Sequence, residues 1–139
     1  MEIARVDVDA NELRADGTQI GRSYELRYRL ENGTLDLEVI GGPSRRVEPG
    51  DADFVDLGFS PLTNTLPILR DGLNRGGAAR DYVMALVEVP SLAVSLSEQR
   101  YEPVSRGTVR FRSGDFSAVL QLDDDGFVLD YPGLAEQLR

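Results

Sequence analysis

Three residue types that commonly carry chemistry are missing from this sequence: it has no histidine, no cysteine and no lysine. Without histidine there is no imidazole base, no His-dependent triad and no imidazole metal ligand. Without cysteine there is no thiolate nucleophile, disulfide, zinc finger or iron–sulfur ligand. Without lysine, Walker-A and Schiff-base chemistry are gone as well. Carboxylates, hydroxyls, amides and arginine remain. Asp51, Asp53 and Asp56 could supply the acid and base of a glycoside hydrolase, but nothing in their spacing gathers them round one cleft. Asp123-Asp124-Asp125-Gly126 invites a calcium loop. With Gly126 as the sixth loop position, the first would be Gln121 and the twelfth Pro132, neither a carboxylate. A charged hairpin tip is the better reading. Gly41-Gly42-Pro43 and Gly76-Gly77 match neither a dinucleotide fingerprint nor a P-loop and read as turns. No cofactor and no metal are expected.

The most unusual stretch runs Ser60-Pro61-Leu62-Thr63-Asn64-Thr65-Leu66-Pro67-Ile68-Leu69-Arg70. Two prolines bracket a Thr-Asn-Thr run, which predicts a shaped connection whose polar side chains satisfy either the backbone or a ligand. Asn64 can donate and accept at once, and the hydroxyls of Thr63 and Thr65 likewise, which suits sugar hydroxyls. Arg70 suits a phosphate or carboxylate through its planar fork. Five tyrosines, among them Tyr101 and Tyr131, could edge a pocket. The expected ligand site is therefore Thr63, Asn64, Thr65, Arg70, Gln99, Tyr101 and Tyr131, around a concave apolar face. The plain alternative is a turn whose Asn64 amide is consumed by its own backbone.

Those residues need strands to hold them, and the dominant period is two. Tyr24, Leu26, Tyr28 and Leu30 alternate with Glu25, Arg27, Arg29 and Glu31, as a half-buried strand requires. Asn32-Gly33 follows, and Leu35, Leu37 and Val39 then alternate with Thr34, Asp36 and Glu38. That is a hairpin signature, with a two-residue turn pairing 24–30 with 34–40. The sequon formed by Asn32-Gly33-Thr34 is read as that turn. Val109 and Phe111, then Phe116, Ala118, Leu120 and Leu122, then Phe127, Leu129 and Tyr131 continue the pattern, with turns at Ser113-Gly114-Asp115 and Asp125-Gly126. Tyr82 to Val89 is apolar on both faces and predicts a central strand covered on both sides. Shorter strands are predicted near 3–9, 54–59, 92–96 and 98–104. Helix signals are poor: Gly72, Gly76 and Gly77 interrupt 69–79, and only 132–138 predicts a short C-terminal helix, with Pro132 in its first turn.

The chain has 139 residues, 24 of them acidic against 15 arginines, a net charge of −9. One all-β domain over 1–139 is expected. The acidic balance argues against a nucleic-acid partner. The longest apolar run, 82–87, is far short of the ~20 residues that span a bilayer, so a transmembrane protein is not expected. Met1 to Asp7 has neither a basic nor an apolar leader region, and a cytoplasmic placement follows. Oligomeric state is left open.

The stretch Asp56-Leu57-Gly58-Phe59-Ser60-Pro61-Leu62-Thr63-Asn64-Thr65-Leu66-Pro67-Ile68 resembles the hallmark D-x-x-x-x-P-x-T-N-T-L-P-I of a glycolipid-binding family of bacterial proteins. Val89-Pro90-Ser91-Leu92, Gln99-Arg100-Tyr101 and Asp125 to Leu134 follow in the family's order, and Tyr24 to Leu30 looks like its early Y-x-L-R-Y-R strand. The family's N-terminal tryptophans and a longer segment before the hallmark are missing. The resemblance implies a spiral β-roll or half-barrel, a single curved antiparallel sheet. It also implies non-catalytic binding of an amphipathic lipid or glycolipid in the concave face. A structural or oligomerising β module with a filled interior, and a carboxylate-based hydrolase, stand as alternatives; the interior volume discriminates between the first two.

Overall fold

Alternating apolar residues give twelve strands in two sheets among the described residues. The computed structural model describes residues 1–9, 12–131 and 135–136, with side chains over 1–8 and 12–128. The first sheet runs in chain order: β1 (Glu2–Asp9), β2 (Glu12–Ile20), β3 (Glu25–Glu31), β4 (Thr34–Val39) and β5 (Ser44–Val47), all antiparallel. The second comprises β6 (Phe54–Leu57), β7 (Arg80–Val87), β8 (Val94–Ser105), β9 (Thr108–Ser113), β10 (Phe116–Leu122), β11 (Val128–Tyr131) and β12 (Ala135–Glu136). The all-β curved-sheet class holds, but the strands divide between two sheets, and the β6–β7 pair is parallel.

A parallel pair needs a crossover, and that crossover is the chief correction to the sequence reading. Residues expected as a proline-shaped connection form helix α1 (Pro61–Asp71), followed by a 3-10 turn at Leu73–Arg75. Low propensity is overridden by burial: Pro61, Leu62, Thr63, Asn64, Thr65, Pro67 and Ile68 are all buried. Pro61 occupies the first turn, where its missing N–H costs nothing; Pro67 sits inside the helix and forgoes one bond. The C-terminal helix expected over 132–138 falls largely outside the described residues. Its described part, Ala135–Glu136, pairs as a strand with β11.

Two apolar cores result, one on each face of β7. Leu26, Leu30, Leu35, Leu37 and Val39 of the first sheet pack against Val55, Leu57, Ala85 and Val87 of the second. On the opposite face, Ile68 and Leu73 pack on Tyr82, Met84, Tyr101, Phe111 and Leu120. Of the expected central strand over 82–89, Tyr82 to Val87 is covered on both sides as its composition predicts, but the strand ends at Val87 and lies next to the edge strand β6.

The Asn32-Gly33 turn is as expected: both residues have positive φ, 52° and 75°, and Leu30 faces Leu35 across it. Leu26, Tyr28, Leu30, Leu35, Leu37 and Val39 are buried together, while Tyr24 is only half-buried. Outer-face charges pair with other neighbours than each other: Arg29 with Asp16 of β2 at 2.8 Å, Asp36 with Arg46 of β5 at 2.6 Å. The acidic tip is an Asx turn, Asp123 Oδ1 accepting from the N–H groups of Asp125 and Phe127, each at 2.9 Å.

Candidate functional site

Where α1 crosses the second sheet it covers one end of the concave face and leaves the other open. The register puts Asp56 and Leu86 of β6–β7, Ser97 and Gln99 of β8, Phe111 and Ser113 of β9, and Phe116 of β10 on that face. They line a cleft of about 500 Å³, a usual size for a small-molecule site. Its walls are apolar, with Leu57, Phe59, Leu86, Val89, Phe111 and Phe116. Polar groups run among them: Asp56, Ser60, Asn64, Ser97, Gln99 and Ser113, the hydroxyls of Ser97 and Ser113 lying 3.3 Å apart.

Asp56 is the buried charge-bearing group among them. It stands in a strand that otherwise reads Phe54, Val55 and Leu57, and it is 7% exposed. The Thr63 hydroxyl donates to its Oδ1 at 2.7 Å and Gln99 Nε2 donates to its Oδ2 at 2.7 Å. Burial pushes the Asp56 carboxyl above the ordinary aspartate range, and the bonds from Gln99 and Thr63 offset only part of it. The Tyr101 hydroxyl lies 3.3 Å from both Asn64 Oδ1 and Gln99 Oε1. Thr63 also accepts from the Leu57 N–H at 3.2 Å, which ties the helix to β6.

The walls are held from both sides. Gly58 N–H donates to Val87 O at 2.9 Å, and the buried Gln19 of β2 donates to Gly58 O at 3.0 Å. Immediately after Gly58 the chain turns at Phe59, whose φ of 59° is one a side chain seldom adopts. Phe59 is 66% exposed at the cleft mouth. Glu2 reaches the start of α1, where its Oε1 accepts from the Leu62 N–H at 3.3 Å. This carboxylate serves the helix end that Ser60 leaves uncapped. Desolvation raises the Glu2 pKa. The hydroxyls of Ser60 and Tyr28, buried beside this carboxylate, offset part of that rise.

Of the residues singled out from sequence, Thr63, Asn64, Gln99 and Tyr101 share this one network. Thr65 does not reach the cleft; its hydroxyl bonds back to Pro61 O at 3.4 Å. Arg70 lies elsewhere, its guanidinium 4.5 Å from the Phe54 ring centre and paired with Asp71 at 3.2 Å. Asp71 in turn accepts from the Tyr82 hydroxyl at 2.5 Å. Tyr131 belongs to β11, and its side chain is outside the described residues. Asp51, Asp53 and Asp56 do not converge: Asp53 accepts from the Val83 N–H at 2.8 Å and, like Asp51, does not line the cleft. Sequence reasoning passed over Ser60, Ser97, Ser113, Phe59 and Phe116. The signal available for Ser60 was its place before Pro61, the ordinary start of a helix.

The family profile described as "Putative glycolipid-binding" matches residues 31–137, a span that takes in every residue lining the cleft. A crystal structure of a DUF1089 family protein from Pseudomonas aeruginosa is similar in fold, with a TM-score of 0.73 over 99% of this chain and 92% of that one, at 23% identity. No curated protein matches the chain. With the hallmark run on α1 and most of the chain matched, this protein belongs to the glycolipid-binding family.

Proposed function

We propose that this protein binds an amphipathic lipid or glycolipid, without catalysis, in the cleft between α1 and the second sheet. The observation that carries the reading is the lining of the cleft: about 500 Å³, open to solvent, is walled mainly by apolar side chains with the buried Asp56, Asn64 and Gln99 among them. The lining combines apolar side chains with a line of hydrogen-bonding groups running from Asn64 through Gln99 and Ser97 to Ser113, which matches a molecule with both a greasy and a polar part. Asn64 and Gln99 meet the polar part directly, and Thr63 and Tyr101 stand behind and orient them. Membership of a family described by glycolipid binding supports the same reading. Among the described residues no helix is long and apolar enough to cross a membrane.

The test is native mass spectrometry of protein purified from its own host, with lipid extraction of the adduct, on wild type and Asn64→Ala. We expect a lipid-sized adduct that the variant loses while its melting temperature stays close to wild type. An adduct retained by Asn64→Ala would remove the run on α1 from the site.

A further inference from the structure

Strand β1 ends the first sheet, and among the described residues no strand pairs with its outer edge. Met1 and Ile20 exchange both of their backbone hydrogen bonds, at 2.8 and 2.9 Å. The antiparallel alternation then turns the N–H and C=O groups of Ile3, Arg5 and Asp7 toward β2, and those of Ala4, Val6 and Val8 toward the free edge. The side chains of Ala4, Val6 and Val8 share the inner face with Ala15 and Leu13 of β2. Those two neighbours are buried, yet Val6 is 36% and Val8 47% exposed. An open ladder of this length with apolar residues on its inner face is a template for a further strand. We propose that the further strand is β1 of a second copy of this chain, joined antiparallel about a two-fold axis at Val6, so that two five-stranded sheets become one of ten. This contact does not depend on a ligand in the cleft.

The strand, Glu2-Ile3-Ala4-Arg5-Val6-Asp7-Val8-Asp9, is complementary to itself in that register. Pairing about Val6 sets Val6 against Val6, and it sets Ala4 against Val8 and Arg5 against Asp7 twice each by symmetry. The inner face then holds apolar pairs and the outer face opposite charges. Ala4, Val6 and Val8 fall at hydrogen-bonded positions, as their outward N–H and C=O groups require. Arg5 and Asp7 fall at the closer, non-bonded positions, where facing side chains interact most. Other registers lose this match. Centring on Arg5 or on Asp7 puts like charges directly opposite, centring on Ala4 sets Arg5 against Ile3, and centring on Val8 sets Asp7 against Asp9. Both charged groups are available. Arg5 has no ion pair among the described residues, and Asp7 accepts from Arg14 through Oδ2, at 3.1 Å on the exposed surface.

Sedimentation velocity over about 5–500 μM tests the contact, because a single-edge interface is small and its dimer concentration-dependent. The net charge of −9 opposes association, so the buffer holds ~150 mM salt, which screens exposed charges beyond about 8 Å. Wild type is expected to pass from monomer to dimer within that range. Arg5→Asp and Asp7→Arg each turn two opposite-charge pairs into two like-charge pairs and should weaken the dimer about tenfold or more. An equimolar mixture of the two variants restores both pairs and should associate as wild type does. The chain has no cysteine, so Val6→Cys sets a lone thiol opposite its own copy. It should cross-link on mild oxidation about tenfold faster than Val8→Cys, which faces Ala4. Should a charge variant fail to fold, the wild-type dilution series and the two cysteine variants decide. A wild type that stays monomeric throughout, whether its edge is solvated or taken by another protein's strand, overturns the proposal. A dimer indifferent to both charge reversals, or Val8→Cys cross-linking as fast as Val6→Cys, overturns it as well.

Discussion

Asp56 pairs an unfavourable environment with a specific role, and its cost can be read from pH. Its carboxyl is pushed up by burial, so the folded chain holds that proton to higher pH than the unfolded chain does. Between the ordinary aspartate value and the raised one the native state binds more protons, and stability therefore falls as pH rises through that window. Relative to Asp56→Asn, wild type should lose stability as pH rises above the ordinary aspartate value of about 4, at ~1.4 kcal/mol for each unit by which the pKa is raised. Urea denaturation of both proteins across that range measures it; a pH-independent difference would mean that Asp56 ionises as it does in water. A second residue-scale prediction concerns Gly17. A methyl there would stand 2.3 Å from Cζ of the buried Tyr28 ring. Gly17→Ala should cost about 1–3 kcal/mol by overpacking, and Gly17→Ala with Tyr28→Phe should recover part of it. Equal denaturation midpoints for Gly17→Ala and wild type would contradict this close approach.

At the scale of elements, the β3–β4 hairpin is determined locally and α1 is not. Asn32 and Gly33 both take left-handed backbone, which a β-branched residue resists, so Gly33→Val should destabilise by roughly 1–2 kcal/mol. An unchanged melting temperature in that variant would be incompatible with the turn. Helix α1 contains two prolines and two threonines in eleven residues and would not persist alone. Ser60-Pro61 before it, Arg70 in its last turn and Gly72 after it are start and stop signals, but they only permit a helix. Its formation depends on the apolar face of β7–β10 and on Thr63 reaching β6. Strand β2 escaped the periodicity for a related reason: after Leu13 and Ala15 its inward positions are Gly17 and Gln19, no more apolar than the outward Thr18 and Ile20. Gln19 is buried because it serves Gly58 and Tyr24, neither of which is near it in sequence terms that a period can express.

The molecule as a whole is organised around β7, which takes part in both cores. Val87 faces the first sheet and Met84 faces α1, each at most 1% exposed. Truncating either should therefore weaken one common transition: Met84→Ala by about 2–5 kcal/mol and Val87→Ala by somewhat less. Tyrosine fluorescence and far-ultraviolet circular dichroism should report coincident midpoints in both variants. A separate, earlier loss of the first sheet in Val87→Ala would show that the cores unfold independently. The described ion pairs are largely at the surface and contribute little to this cooperativity.

By itself the sequence determined the class, the strands with strong alternation, the two-residue turn and the covered character of 82–87, because each follows from the chemistry of neighbours a few residues apart. It also marked the run 60–70 and Gln99-Tyr101 as unusual. Only the tertiary structure decided that Thr63, Asn64, Gln99 and Tyr101 form one network with Asp56, while Arg70 and Thr65 face elsewhere. Those partners are separated by 7 to 43 positions, and bonds over such spans exist only once β6, α1 and β8 are packed. The same holds for the cleft, since an unfilled volume belongs to the packing of elements and to no residue in particular.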